Sequence, residues 1–580
     1  MDIALIAVIG VCCIAAVEVF ASRLGVATPL LLVTVGVVAS VLPGMPTIEV
    51  EPELVLAGVL PPLLYSAAVS MPAMDFRRDL RAISGLSVVL VVVSSLVLGV
   101  FLTWVIDGID LATGIALGAI ISPTDAVATS IARRLGVPPR VITVLDGESL
   151  LNDATALVLL RSAIAATATS VTLLGVAGDF VRAVVVAVVV GFAVGWVNLR
   201  VRAHIPDAAV STAVSFVVPF VAYLPVEHLG GSGLVAAVTA GLFTGQGAPR
   251  YLPPRHRLAE DQNWRTVELL LEGGIFLLMG LELRAIVDDV HVEHGAVTAL
   301  WIAAVAALLV VLVRAAYVVP LLAGLHRRAE RVGARRPHLE EVGTRLDAGG
   351  LEPTRRTRQP RNDREAAHVE AHLARRTQML RTRIRRGLAD IDYLAGAPMG
   401  VREGAVLVWA GMRGAVTVAA AQTLPADTPQ RSLLVLIAFT VAAGTLLVQG
   451  GTLPYLVRRL GLSSREHGAD PDRLPLLELL SDAAESTLDD PDLRRADGTP
   501  YDPSVLRQMR RRNVLPEEQD DLEVARGLGD QYTELRLRVI RAMRESLLRA
   551  RADGVYASAT MESALQILDA EQITTELRSV

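Results

Sequence analysis

The sequence contains no lysine, so every one of its 55 basic residues is arginine. A buried amine that gains and loses a proton is therefore excluded, because a guanidinium keeps its proton at any working pH. Cysteine is nearly absent. Cys12 and Cys13 are neighbours in an apolar run, cannot easily bridge each other, and read as small packing residues rather than a disulfide framework. Charge is thin, at 20% of 580 residues, and the net value of −5 argues against a nucleic-acid partner. No phosphate-binding glycine loop occurs, so no ATP drive is visible. No HExxH, GxSxG or GxGD pattern lies in an apolar segment, which disfavours an intramembrane hydrolase. Ten-residue segments of alternating polarity are missing too, and with them the β-barrel route across a membrane.

What is present is long apolar runs. Hydrophobic residues make up 52% and mean hydropathy is +0.47, only modestly above a soluble protein. The distribution says more than the mean. Residues 1–325 and 402–461 are almost continuously apolar, while the Arg-rich loop 326–401 and the acidic tail 462–580 carry most of the charge. A spanning helix needs about 20 largely apolar residues. Spans are expected near 2–21, 26–42, 53–70, 82–106, 111–132, 141–165, 180–199, 209–225, 231–245, 265–282, 296–325, 402–424 and 431–457, about thirteen in all. The first lacks a basic leader, Asp2 being its first charge, so it reads as a span and not a signal peptide.

The loops orient the chain, because short cytoplasmic loops are rich in Arg. Odd-numbered spans are followed by Arg23, by Arg77, Arg78 and Arg81, by Arg133 and Arg134, by Arg200 and Arg202, and by Arg250, Arg255 and Arg257. Even-numbered spans are followed by Glu49, Glu51 and Glu53, by Asp107 and Asp110, by Asp179, and by Glu227, with Arg182, Arg284 and Arg431 as the few basic exceptions. The expectation is an all-α, polytopic membrane protein of a cell membrane, with its N-terminus outside and its C-terminus cytoplasmic.

Ionisable groups at membrane depth cost roughly 2.5–3.5 kcal/mol each on the cheapest scale. Three spans carry them near their midpoints. The fifth has Pro123 and Asp125, the sixth has Glu148, Asn152 and Asp153, and the twelfth has Arg413 between Gly411 and Gly414. In the sixth, Ser149 and Asp153 lie one turn apart, about 40° around the helix, with Glu148 and Asn152 as a second such pair alongside. The patch offers only oxygen ligands, which suit a hard cation. Pro123 removes a backbone donor and breaks span five around Ser122-Pro123-Thr124, freeing a carbonyl near Thr124 to face that cation. Gly411 and Gly414 permit the same break in span twelve. Asp125 then complements a positive helix end and Arg413 a negative one. Glu18 reads as a structural or interface residue, and Arg413 with Glu148 as an ion pair.

At these residues the sequence resembles the monovalent cation/proton antiporter family that includes the sodium/proton exchangers. The matching pieces are Ser122-Pro123-Thr124-Asp125, Gly147-Glu148-Ser149 through Asn152-Asp153, Gly411-Met412-Arg413-Gly414-Ala415, FLLMGLEL at 276–283 and VQGGTLPYLVRRLGL at 448–462. The resemblance covers 1–325 and 402–462. It implies inverted-topology repeats with crossed broken helices, here spans five and twelve, and a homodimer. By position it makes Asp153 the cation- and proton-binding carboxylate, with Ser149, Glu148 and the Thr124 backbone as co-ligands and Arg413 pairing Glu148. Asn152 beside Asp153 resembles the electroneutral branch, and the stretch Tyr532 to Asp569 resembles the helical cytoplasmic tail of bacterial members.

The loop 326–401 departs from the family core. Val369, Leu373, Leu380, Ile384 and Leu388 recur at helical spacing, which predicts an amphipathic helix over 363–388. The loop holds seventeen Arg against ten acids and the tail sixteen Arg against twenty-four, which reads as two solvated segments or, more sharply, as segments that touch or a loop that binds anionic lipid. The reading is an ion antiporter and not an enzyme. It exchanges Na⁺ (or Li⁺, or K⁺) for H⁺ by alternating access, one for one, without a cofactor, and serves pH and sodium homeostasis. A cation channel and an intramembrane hydrolase are the rival readings.

Overall fold

Among the described residues six helical stretches are long and apolar enough to cross a bilayer in one piece, while other apolar segments are shorter or interrupted, and the interruptions build the site. The computed structural model describes residues 3–43, 51–168, 173–290, 296–349, 363–396, 398–463, 472–512 and 526–577. Glu49, one of the loop charges used for orientation, lies outside them. No β-strand occurs among the described residues.

Each segment read as a span is helical. Spans one to four are Ile3–Leu24, Thr28–Ser40, Leu54–Val59 with Leu60–Ser70, and Ala73–Ser84 through Gly85–Val89 to Leu90–Val105. Spans five to nine are Leu111–Ile121 with Val127–Arg134, Pro139–Ala168, Leu173–Arg202, Ala208–His228 and Gly233–Tyr251. Spans ten to thirteen are Pro254–Leu281, Ala296–Gly333, Val401–Trp409 with Ala415–Gln422, and Arg431–Arg459. Several helices overrun their apolar stretches. Span ten begins at Pro254 rather than near 265, because the polar residues before the membrane are good helix formers as well.

The chain divides into two compact units, Met1–Leu325 with Met399–Arg465, and His326–Pro398 with Glu466–Val580. In the first, small residues let backbones approach where no hydrophobic force between helices acts. Spans two and ten cross at Gly36 and Gly280, where a Cβ on either would lie 2.8 Å from the other's Cα. Two buried ion pairs tie further helices together. Arg140 grips Asp79, its Nη2 2.8 Å from Oδ1, and Arg202 holds Glu260 through two bonds of 3.0 and 2.7 Å.

In the second unit the tail forms helices Arg473–Leu488, Pro503–Arg512, Arg526–Asp553 and Ser558–Leu577. They bury two apolar clusters, one around Ala484, Met509 and Leu535, the other around Leu480, Leu547 and Met561. The loop forms Arg336–Gly349 and Asp363–Gly396, the second containing the helix expected over 363–388, with Ile384 buried. The loop helix packs on Arg526–Asp553, and Arg386 lies 3.8 Å from Asp553. That pair is partly exposed, so it adds little by itself.

Candidate functional site

Span five starts on Asp110, whose side chain accepts from the Thr113 amide at 2.8 Å and satisfies a free donor of the first turn. The helix stops at Ile121, since Pro123 cannot donate to the next turn, and resumes at Val127. Span twelve stops at Trp409 and resumes at Ala415. The two gaps face each other, the Asp125 amide donating to the Met412 carbonyl at 2.8 Å. Asp125 also accepts from the Val127 amide at 2.9 Å, so its carboxylate sits on the positive end of the second half-helix. Arg413 does the reverse. Its guanidinium donates to the carbonyls of Ile121 at 2.7 Å and Ser122 at 3.1 Å, and to that of Gly411. These carbonyls, left without partners by the breaks, are what a helix end must satisfy when no water can. Both expected complements are present.

The expected pairing of Arg413 with Glu148 is not what forms. Glu148 is held by Arg314 of span eleven, Nη2 to Oε2 at 2.8 Å and Nη1 to Oε1, with both side chains at most 2% exposed. Arg314 Nε donates in addition to the Leu407 carbonyl at 2.7 Å. Spacing along the sequence cannot show this, because residues 166 apart meet only through packing. A signal was available, since Arg314 is a lone charge in an apolar run and obeys the same cost rule as the others. The length of that run concealed its depth.

Glu148 also accepts from the Thr124 hydroxyl at 3.1 Å, so both of its oxygens are taken by protein donors. Asn152 donates to the carbonyl and hydroxyl of Thr124, at 3.0 and 2.8 Å, and pins the broken backbone to span six. Ser149 donates to the Asp146 carbonyl at 3.0 Å within its own helix, leaving its oxygen lone pairs available. Asp153 differs from all of these. It is 8% exposed and lines a small apolar space with Pro123, Ile120, Val416 and Ala420. It makes no hydrogen bond or ion pair to a described residue. Glu18, by contrast, accepts from Thr28 at 2.5 Å and ties span one to span two.

Gly414 has a reason specific to this site. A Cβ there would collide with the Asp125 carboxylate. Gly414→Ala is expected to push that carboxylate off the Val127 amide, destabilising the protein by about 1–3 kcal/mol, as overpacking does. Thermal unfolding in detergent checks it. An unshifted midpoint would mean that Asp125 yields freely.

Many apolar helices around two crossed, interrupted ones, with charged residues at the crossing, define a polytopic ion transporter. The chain belongs to the sodium/hydrogen exchanger family, whose transmembrane model matches residues 6–337. An uncharacterized Na⁺/H⁺ exchanger of Escherichia coli is 37% identical over 250 residues, which are 42% of this chain and 46% of that protein. An uncharacterized Na⁺/H⁺ exchanger of Mycobacterium tuberculosis is 29% identical over 452 residues, 76% of this chain and 71% of that one. A sodium, potassium, lithium and rubidium/H⁺ antiporter of Bacillus subtilis is 29% identical over 269 residues, 45% of this chain and 40% of the relative. Among solved structures, a sodium proton antiporter from Methanocaldococcus jannaschii superposes with a TM-score of 0.54 at 16% identity, over 79% of this chain and 98% of that one. At that identity the likeness is one of fold.

Proposed function

We propose that this protein exchanges Na⁺ (or Li⁺, or K⁺) for H⁺ across a cell membrane by alternating access, one cation per proton, and so contributes to pH and sodium homeostasis. One observation carries the reading. Of the carboxylates at the crossing, Glu148 is neutralised by Arg314 and Asp125 is capped by a helix end, whereas Asp153 has no partner among the described residues. A buried carboxylate without a counter-charge must take up a proton or a cation, since leaving it bare is costly. The cation's ligands are then Asp153, the Ser149 hydroxyl and the second lone pair of the Thr124 carbonyl. Glu148 anchors the helices and does not coordinate. Asn152 and Arg413 hold the two breaks in place, and Asp125 tunes the field between them.

The Arg-rich loops support an N-terminus outside and a tail in the cytoplasm, and the family resemblance supports a homodimer. The wider set of cations named for the Bacillus relative supports keeping Li⁺ and K⁺ beside Na⁺. Electroneutrality follows from the count of titrating groups. Asn152 cannot titrate, a guanidinium is not a proton carrier, and the chain has no lysine. Asp153 alone exchanges its load, so both loaded forms carry the same charge across. The membrane potential, worth about 2.3 kcal/mol per charge per 100 mV, then neither drives nor opposes transport.

Purified protein in proteoliposomes tests this with a pH dye and each alkali cation in turn. Proton flux should require an opposing cation gradient and should not change under an imposed potential. Uncoupled conduction would make it a channel, and a sustained current following the gradient would reveal a second titrating group.

A further inference from the structure

Arg200 and Arg202 stand two residues apart at the end of span seven and meet opposite surroundings. Arg202 is fully buried and neutralised by Glu260. Arg200 is exposed, and no carboxylate pairs with it among the described residues. Its guanidinium carbon lies 5.1 Å from the ring centre of Trp196 and 5.9 Å from that of Tyr251, at the end of span nine. Two ring faces therefore fix the cation in place. No described residue accepts a hydrogen bond from this guanidinium, so its N–H donors stay available, in the fork that matches a phosphate. Arg250, next to Tyr251, is exposed and likewise unpaired with any described carboxylate, so two positive charges stand uncompensated here.

Below Arg200 the surface is apolar. Val181, Val185, Val189, Phe192 and Trp196 recur every three or four residues, each between 47% and 63% exposed, and make one stripe along span seven that ends at Arg200. The Phe192 ring is steadied from behind by Phe243 of span nine, 4.5 Å between ring centres. The part of the track nearest Arg200, Val189 to Trp196, is about the depth of one leaflet, and with a held, unneutralised cation at its end beside Trp and Tyr it fits a lipid with one chain on the track and its head at the arginine.

We propose that the ends of spans seven and nine form a binding site for an anionic phospholipid, its phosphate on Arg200 and its acyl chain along Val189, Phe192 and Trp196. Charge decides against a zwitterionic lipid, whose head group carries no net charge to offset Arg200 and Arg250. Arg200, Trp196 and Tyr251 are not among the residues proposed for transport, so the proposal does not depend on the transport reading.

The test uses the full-length protein in detergent, titrated with phosphatidylglycerol, with phosphatidylcholine of the same chains, or with inorganic phosphate, and read by native mass spectrometry and thermal unfolding. Phosphatidylglycerol should bind and raise the midpoint, while the other two do not. Arg200→Gln should weaken phosphatidylglycerol about fivefold, the effect of one arginine at a lipid surface. Trp196→Leu should weaken it as well, with the apolar track kept. Equal binding of the two lipids, equal stabilisation by free phosphate, or unchanged affinity in Arg200→Gln would each overturn the assignment. So would an Arg200→Gln protein that loses its dimer and keeps its lipid preference, since a second copy would then cover this face. Both variants alter exposed residues, and a symmetric size-exclusion peak establishes that they fold.

Discussion

Arg314→Ala is expected to destabilise the protein by about 3–5 kcal/mol and to abolish exchange, because it strands Glu148 in the interior without its counter-charge. Thermal unfolding in detergent measures the loss. The diagnostic result is the double variant. Adding Glu148→Gln to Arg314→Ala removes the orphaned charge and should recover much of the stability without restoring transport. Arg413→Ala should behave differently. It frees the carbonyls of Ile121, Ser122 and Gly411 and leaves Glu148 paired, so Glu148→Gln should not rescue it. If Glu148→Gln rescued Arg413→Ala and not Arg314→Ala, the pairing described above would be wrong.

Asp153→Asn should reduce cation-dependent proton flux to the level of empty liposomes while leaving the fold intact. No described residue loses a partner in this substitution, and the amide is nearly isosteric with the carboxyl. Stability should stay level or rise, since a buried group that is charged without compensation is replaced by a neutral one. This outcome separates transport from folding, which variants of Arg314 cannot do. Substantial sodium-driven flux through purified Asp153→Asn would remove that residue from the mechanism and move attention to Asp125.

Much of this was legible in one dimension. Hydropathy located the spans because a bilayer demands about twenty apolar residues whatever their neighbours are. Pro123 marked one break and the Gly411/Gly414 pair the other, since both act on the local backbone. The roles of Asp125 and Arg413 at helix ends were readable for the same reason, as a half-helix carries its own polarity. Asp153 was singled out by the cost of charge at membrane depth.

Partners across the fold were not legible. Depth rules say how far along a helix a charge lies, but not which helix it faces. Two arginines were available for Glu148, and only the packing of spans six and eleven chose Arg314, leaving Arg413 to the freed carbonyls. The same holds for Arg202 with Glu260 and Arg140 with Asp79, whose partners lie 58 and 61 residues away. Sequence by itself determined the helices, their breaks and the carboxylate proposed to carry the load, because each follows from local backbone chemistry or from the solvent. Tertiary structure decided which charges neutralise one another and which stays free, because a buried charge is stabilised only by what packing brings within hydrogen-bond distance.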